Sequence, residues 1–567
     1  MTATTMRRPS FWTPERVLLL VALVTTAIYW RDLSHDFILD DVPLVLMNPA
    51  LATWRNLPMI FRTDIFHFPY AHGYTGAIHY RPIYTSWLLL NHMAFGMVLP
   101  WWRLTSLALH LVVTVLVYRL AIRLLDDRWL AVCAAAIFAL HPVHAEAVAY
   151  LTASTDLLEA LFSLVALLFY IRFREERNRF VWLAVSLAGA AAAVLSKESA
   201  GMIPWLLVAY EALWTNPTGE PRNWRRYLWT LPYFAIGAAY VLLRTLLFGA
   251  NIGPGPGGSR IAVLADIPLA ALVYVKNFFL PTALSFFYPA QWSTGWTWAK
   301  AMAVVLVCAA AGWMWFRQQG QPVVRLLLAW TAILFIPPAL ALTTFYPDGW
   351  VHDRHIYLVS FPICLLLALL LSQWAPQRRT FAIAGAAIVL LLAIGAWFQV
   401  PRFEDEVSVY ASALKIAPQN AELHHFFASA LWKYNRKGEA IEEFKTAIAL
   451  RPGSIPEYTD YASALEELGD NRQALAEYRQ ALAFAPAGSQ ARPQLLYYAA
   501  RIEIATSDLE GAAAQLREAI SIAPRALNYH AALADVLRKQ GDSTAAGEQL
   551  RLEEINRKAY LERHNRR

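Results

Sequence analysis

Hydrophobic and polar positions along the chain fall into two patterns joined end to end. Up to about residue 400, apolar residues run in long, nearly unbroken stretches; beyond it they recur on one face of short amphipathic segments. A bilayer crossing needs about 20 mostly apolar residues. Stretches of that kind lie near 17–30, 104–124, 129–141, 157–172, 180–195, 202–214, 228–248, 299–316, 326–341, 356–373 and 380–398, so the pattern predicts about eleven spanning helices. Two more apolar segments, 82–100 and 261–280, read as helices lying on or dipping into one membrane face. The first is rich in Trp, Asn and His, and the second holds Asp266 and Lys276. Counting both as spans gives thirteen.

Basic residues set the orientation, because Lys and Arg collect in cytoplasmic loops. One set of loops holds Arg7, Arg8 and Arg16, then Arg119, Arg123 and Arg128, then Arg172, Arg174, Arg177 and Arg179. It continues with Arg222, Arg225 and Arg226, with Arg317 and Arg325, and with Arg378 and Arg379. These alternate with the other loops if the N-terminus is cytoplasmic, and an odd number of spans then puts the region after residue 400 outside. The basic N-terminus before an apolar run resembles a signal peptide, but no small-residue cleavage site follows, so an uncleaved first span is expected.

Past residue 400 the pattern repeats. Prolines recur at Pro418, Pro452, Pro486 and Pro524, and the first two intervals are 34 residues, the tetratricopeptide period. The third is four longer, a difference the Ala-Gly-Ser-Gln stretch after Pro486 absorbs. Five positions before each proline stand Ala413, Ala447, Ala481 and Ala519; eight before stand Tyr410, Phe444, Tyr478 and Leu516. Twelve before the last three stand Ala440, Ala474 and Ala512. Small residues there let two helices approach, and the large one fills the gap between repeats. A half repeat is expected at 402–418, full repeats at 420–452, 454–486 and 492–524, and a last pair at 526–557 with a basic tail. Such stacked pairs bind peptides or extended segments. The domain reading is therefore a membrane body over 1–400 and an α-solenoid over 401–567, all-α throughout.

Composition agrees. The chain is 57% hydrophobic and only 16% charged, against roughly 25% charged in soluble proteins, which excludes a wholly soluble molecule. The net charge of +7 follows from the basic loops and does not point to nucleic acid. Cys133, Cys308 and Cys364 all sit in apolar runs and read as packing residues.

The chemistry gathers in the other loops, on the outer side. Just beyond the first span comes His35-Asp36-Phe37-Ile38-Leu39-Asp40-Asp41. Adjacent carboxylates raise each other's pKa unless a cation stands near; a helix cap in a solvated loop is the bland alternative. The same loop holds Asn48, Asp64, His67, His72, His79, Tyr80 and Arg81. The next outer loops hold His141-Pro142-Val143-His144-Ala145-Glu146, Asp156, Lys197-Glu198, Arg244, and finally Asp348, His352, Asp353, Arg354 and His355. Ionisable groups at membrane depth are costly and rarely decorative. Lys197-Glu198 is either such a functional pair or a mutual salt bridge. The His141/His144/Glu146 trio has metal-ligand chemistry, although a proline interrupts helical spacing. Asp353-Arg354 is either an internal pair or a phosphate clamp, since the guanidinium fork donates two parallel hydrogen bonds.

Taken together, these motifs resemble the TMTC group of tetratricopeptide-repeat O-mannosyltransferase-like membrane proteins and their bacterial relatives, within the GT-C glycosyltransferase superfamily. The elements that carry the resemblance are Ile38-Leu39-Asp40-Asp41 with Asn48, Tyr80-Arg81-Pro82, His110, and His141 to Val148. Asp156-Leu157-Leu158, Ser196-Lys197-Glu198, Arg244, Leu284-Ser285 with Tyr288, and Asp353-Arg354 with Tyr357-Leu358 complete the set. Ser154 stands where relatives often carry arginine, and Asp353 where they often carry glutamate.

The resemblance implies a polytopic enzyme that takes a sugar, mannose or another hexose, from a polyprenyl-phosphate carrier and transfers it to a hydroxyl, usually a protein Ser or Thr. It implies that an acidic residue of the first outer loop acts at the acceptor, which falls on Asp40 or Asp41, with Asp40 favoured as base. It implies that Arg81, His144, Glu146, Lys197 and Arg354 shape the donor pocket. A divalent metal, Mg²⁺ or Mn²⁺, is compatible with the Asp, Glu and His present but not required. Two other readings remain at this stage: a glycan or lipid acceptor with the repeats recruiting partner proteins, and a non-catalytic membrane-anchored scaffold. The absence of an Asn-x-Ser/Thr sequon with a permitted middle residue favours a bacterial inner membrane with periplasmic repeats over an endoplasmic reticulum membrane with lumenal ones.

Overall fold

The computed structural model describes residues 12–67, 79–176, 179–214, 223–249, 260–289, 292, 294–317, 321–345 and 351–565. Arg7, Arg8, His72, Arg177, Arg222 and Asp348 lie outside the described residues. Among those described, helix is the only regular structure. The chain divides into two compact units, 1–416 and 417–567.

In the first unit every apolar stretch forms a helix, from Pro14–Tyr29 through Leu99–Leu125, Arg128–Leu140 and Ser154–Glu175 to Arg378–Gln399. Seven helices are long and apolar enough to cross a membrane, and an eighth crossing is made if the bent pair Arg128–Leu140 and Pro142–Ala149 counts as one. Phe180–Ser196 and Ser360–Trp374 have 17 and 15 residues, and Ile203–Leu213 has 11. At about 1.5 Å rise per residue these three fall short of a hydrocarbon core about 30 Å thick. That is where the number of full-length crossings drops below eleven. The two segments set aside, Pro82–Phe95 and Arg260–Phe279, are also helices; neither is among the seven, and Pro268 lies inside the second.

The core of this unit is the alanine-rich helix Arg128–Leu140. Its small side chains let Pro14–Tyr29, Leu99–Leu125, Ser360–Trp374 and Arg378–Gln399 all pack onto it. Leu99–Leu125 also packs on Ser154–Glu175, which lies against Phe180–Ser196. The last contact is backbone to backbone: a Cβ at Gly189 would sit 3.1 Å from the Phe162 carbonyl oxygen and the Ala166 nitrogen.

The central helix ends at Leu140 because Pro142 has no N–H to continue it. The chain bends by 50° into Pro142–His144 and Ala145–Ala149, and every residue from Ala131 to Leu151 is buried. Buried peptide groups must find partners, and here they do. His141 Nε2–H donates to the Phe278 carbonyl (2.9 Å) while its Nδ1 accepts from Val143 N–H (3.2 Å). His110 Nε2–H donates to the Ala139 carbonyl (3.0 Å), and Arg103 donates to that of Ala149.

The second unit is four helix pairs: Ala421–Lys433 with Lys437–Leu450, Ile455–Glu467 with Asn471–Phe484, Arg492–Ala505 with Leu509–Ile522, and Tyr529–Lys539 with Ser543–Asn565. The spacing-derived positions Ala440, Phe444 and Ala447, then Ala474, Tyr478 and Ala481, then Ala512, Leu516 and Ala519 are all buried in one register. The expected half repeat, helix Glu406–Leu414, groups with the first unit instead.

Each pair turns at a residue with positive φ: Asn435 (61°), Gly469 (83°), Ser507 (67°) and Gly541 (90°). In the last three the next residue is an aspartate that caps the following helix, as Asp508 Oδ1 does for Gly511 N (3.0 Å). The left-handed conformation costs a non-glycine residue roughly 1–2 kcal/mol. Ser507 is exposed, so Ser507→Gly should stabilise the repeats by about 0.5–1 kcal/mol after glycine's unfolded-state entropy is offset. A higher unfolding midpoint of the full-length protein in detergent checks this; an unchanged or lower midpoint refutes it.

Candidate active site

The acidic pair sits on a reverse turn. Asp41 N–H donates to the Ile38 carbonyl (2.9 Å), and Leu39 at the first corner has φ 52°, a sparsely populated region for a branched residue. Three ties hold the turn. Leu39 N–H donates to Glu406 Oε1 (3.1 Å), Asp40 N–H to the Tyr150 hydroxyl (3.3 Å), and upstream Arg103 donates to the Asp36 carbonyl. Arg103 is fully buried and lies 3.9 Å from Asp32, which pairs with His35 at 2.9 Å.

The two carboxylates have different surroundings. Asp41 is completely buried: its Oδ1 accepts from Thr152 N–H (2.8 Å) and Thr152 Oγ1 (2.7 Å), and its Oδ2 from Ile38 N–H (3.3 Å). Burial pushes its pKa up to about 6, against the pull of Arg103 and the Thr152 and Ile38 donors. Asp40 is half-buried, and among the described residues nothing hydrogen-bonds its carboxylate. It lies within electrostatic reach of Arg354 and Tyr150.

Among the cations on this side of the unit are Arg81, Lys197 and Arg354. Arg81 makes a two-pronged pair with Glu198, Nε to Oε2 at 3.0 Å and Nη2 to Oε1 at 2.6 Å. Lys197 Nζ donates to Asp156 Oδ1 at 2.5 Å. Arg354 Nη1 donates to Glu146 Oε1 at 2.7 Å, with His352 Nδ1 at 3.3 Å from the same oxygen. They share one neighbourhood: burial holds His355 well below the usual histidine range, and Lys197, Arg354 and Arg81 all add to the effect. Asp156 reaches Arg81, Arg354 and His352. The Arg354 guanidinium also lies over the Tyr150 ring, 5.5 Å from its centre. Arg81, Lys197, Glu146 and Arg354 are thus brought together, with Asp40 at their edge.

His144 is placed elsewhere. It is fully buried, its ring centre 4.5 Å from that of Phe138 and 4.6 Å from that of Tyr357, with Nε2 at 2.9 Å from Ser360 Oγ. His141, His144 and Glu146 therefore serve three different partners. Among the described residues no three His, Cys, Asp or Glu side chains are arranged to hold a metal ion. Asp353 does not pair with its neighbour Arg354. It is buried between Asn277 Nδ2 (2.8 Å) and the Tyr288 hydroxyl (2.7 Å), and burial with Glu146 nearby pushes its pKa up to about 8.

Sequence reasoning missed Arg103, Tyr150, Thr152 and Asn277 as parts of this site. Only Arg103 left a signal, as a cation at the opposite end of its apolar stretch from Arg119 and Arg123.

The sequence family described as dolichyl-phosphate-mannose-protein mannosyltransferase matches residues 80–246, a stretch holding Arg81, Glu146, Asp156, Lys197 and Glu198. The tetratricopeptide repeat family matches residues 458–487. The human protein O-mannosyl-transferase TMTC3 is 25% identical over 468 residues, covering 75% of this chain and 49% of that protein. The chain is similar in sequence to the TMTC protein O-mannosyl-transferases. A protein O-mannosyl-transferase of Caenorhabditis elegans is 25% identical over 432 residues, 73% of this chain and 60% of its own length. The chain spans about half the length of the curated relatives it matches. Among solved structures, the oligosaccharyltransferase of Archaeoglobus fulgidus aligns with a TM-score of 0.37 at 13% identity, over 72% of this chain and 56% of that one.

The raised pKa of Asp41 has a testable sign. A carboxyl whose folded pKa lies above its unfolded value contributes stability below about pH 4, and that contribution is lost as pH rises through about 6. In Asp41→Asn this slope disappears, and an amide N–H₂ faces the Ile38 N–H, costing about 1–3 kcal/mol. Unfolding midpoints between pH 4 and 7 should show wild type losing stability relative to the variant as pH rises; parallel curves would contradict the assignment.

Proposed function

We propose that this chain is a multi-pass membrane glycosyltransferase that moves a hexose, mannose first among them, from a polyprenyl-phosphate carrier to a hydroxyl of an acceptor, a protein Ser or Thr. The observation that carries the reading is one uncommitted carboxylate, Asp40, within electrostatic reach of Arg354, which shares its neighbourhood with Arg81 and Lys197.

The roles follow from the geometry. The acceptor oxygen attacks the anomeric carbon, the bond from that carbon to the phosphate oxygen breaks, and the hydroxyl proton passes to Asp40. The leaving phosphate gains a negative charge, which guanidinium and ammonium donors already fixed in place stabilise without reorganising. One base suffices for a single displacement, and the sugar inverts. Asp41 has no free lone pair facing an acceptor and serves to hold the turn. Glu146 fixes Arg354, and His144 braces the bend behind it. The names of the relatives support mannose, and the matched family's description supports mannose and a lipid-phosphate donor. The repeats would recruit the acceptor or a partner protein, with site and repeats both on the outer side of a bacterial inner membrane.

The test is sugar transfer by the purified protein in lipid nanodiscs, with labelled polyprenyl-phosphate mannose and a Ser/Thr-rich peptide. Asp40→Asn should lower kcat by about 10²–10⁴ with donor binding kept. Arg354→Ala should weaken donor binding. Wild-type turnover in Asp40→Asn would remove Asp40 as base, and no transfer by wild type from any hexose donor would overturn the reading.

A further inference from the structure

The three ion pairs of the site are layered differently. Lys197 has 13% of its side chain exposed and Asp156 5%; Arg354 has 20% and Glu146 2%. In both, the cation lies toward the accessible side and the carboxylate behind it. The third pair is inverted, with Arg81 at 13% and Glu198 at 44%. The Glu198 carboxylate therefore covers the Arg81 guanidinium from the accessible side and fills both prongs of its fork.

We propose that Glu198 is a stand-in for the donor's phosphate: its carboxylate occupies the Arg81 fork in the free protein and leaves when the phosphodiester docks there. This rests on the donor chemistry proposed above and assigns Arg81, rather than Lys197 or Arg354, as the cation whose partner exchanges. A carboxylate and a phosphate offer the same pair of oxygens to the planar fork, so exchange keeps Arg81 paired throughout. Glu146 and Asp156 cannot exchange in this way, because leaving would bury an unpaired charge.

The backbone supports the movement. Lys197 is extended (φ −158°, ψ 135°), and Glu198 opens a five-residue turn, Glu198–Met202, containing Gly201, where nothing lies within 4 Å of an added Cβ. Glu198 and Lys197 thus belong to different local elements, and the proposed movement involves the Glu198 side chain alone. While Glu198 is in place, Arg81 and His79 hold its carboxyl well below the ordinary glutamate range.

The experiment measures binding of polyprenyl-phosphate mannose to the full-length protein in nanodiscs, with thermal unfolding as a fold control. Glu198→Gln weakens the resident competitor and should tighten donor binding about fivefold, as for loss of one competing exposed ion pair; Glu198→Ala should do the same. Glu146→Gln, which strips Arg354 of its buried partner, should lower the unfolding midpoint and not tighten binding. Donor binding by wild type with no tightening in either Glu198 variant overturns the stand-in assignment and leaves the proposed chemistry intact. No donor binding by wild type or variants, all folded, overturns the chemistry itself.

Discussion

Twenty-one consecutive buried residues, Ala131 through Leu151, set the terms for the first unit. A helix that breaks among apolar neighbours leaves peptide groups that water cannot reach, and each must be met by protein. The polar residues of Leu99–Leu125 are explained by that demand: Arg103 and His110 each serve a carbonyl of the bent segment. Once the bend is satisfied it is rigid, and what it carries is fixed with it. Glu146 faces Arg354, Tyr150 faces the amide of Asp40, and Thr152 faces the carboxylate of Asp41. The acidic turn is shaped from below by this segment as much as by its own sequence.

Charge balance is the second constraint. Arg81, Lys197 and Arg354 are matched by Glu198, Asp156 and Glu146, so the three pairs are neutral as a set. Uncompensated charges in so enclosed a place would be costly, and carboxylates lodged behind two of the cations hold those cations forward. Asp353 fits the same logic: a carboxyl with its pKa pushed up to about 8 is largely neutral at physiological pH and adds no second negative charge beside Glu146.

Much of the helical order was legible because hydrophobic period and proline spacing are one-dimensional signals. The repeat register could be read to the residue, as burial of Ala474, Tyr478 and Ala481 demonstrates. Partner choice was not legible, and the reason is geometric. Lys197-Glu198 and Asp353-Arg354 each place opposite charges side by side in sequence, which invites a mutual pair. Neighbouring side chains diverge, however, and most of all where the backbone is extended, as at Lys197. Each member therefore pairs across the fold instead: Lys197 with Asp156, Glu198 with Arg81, and Arg354 with Glu146. The short helices Phe180–Ser196 and Ile203–Leu213 read as full spans because apolar composition alone does not fix length; the polar break at Lys197-Glu198 between them leaves each too short.

The same divergence separates the work of Asp40 and Asp41. A pKa near 6 on its own would single out Asp41 as the better base, because it sits closest to neutral pH. Under the function proposed above, geometry favours Asp40 instead. Every oxygen of Asp41 already accepts from Thr152 or Ile38, and no surface of it is open to an incoming hydroxyl. Its burial raises the pKa and also denies it a substrate. Asp40 follows the positive φ at Leu39; it is half-buried and lies within electrostatic reach of Arg354. Two adjacent aspartates thus divide into one that builds the turn and one that the turn presents, and the strained corner between them is what makes the division possible.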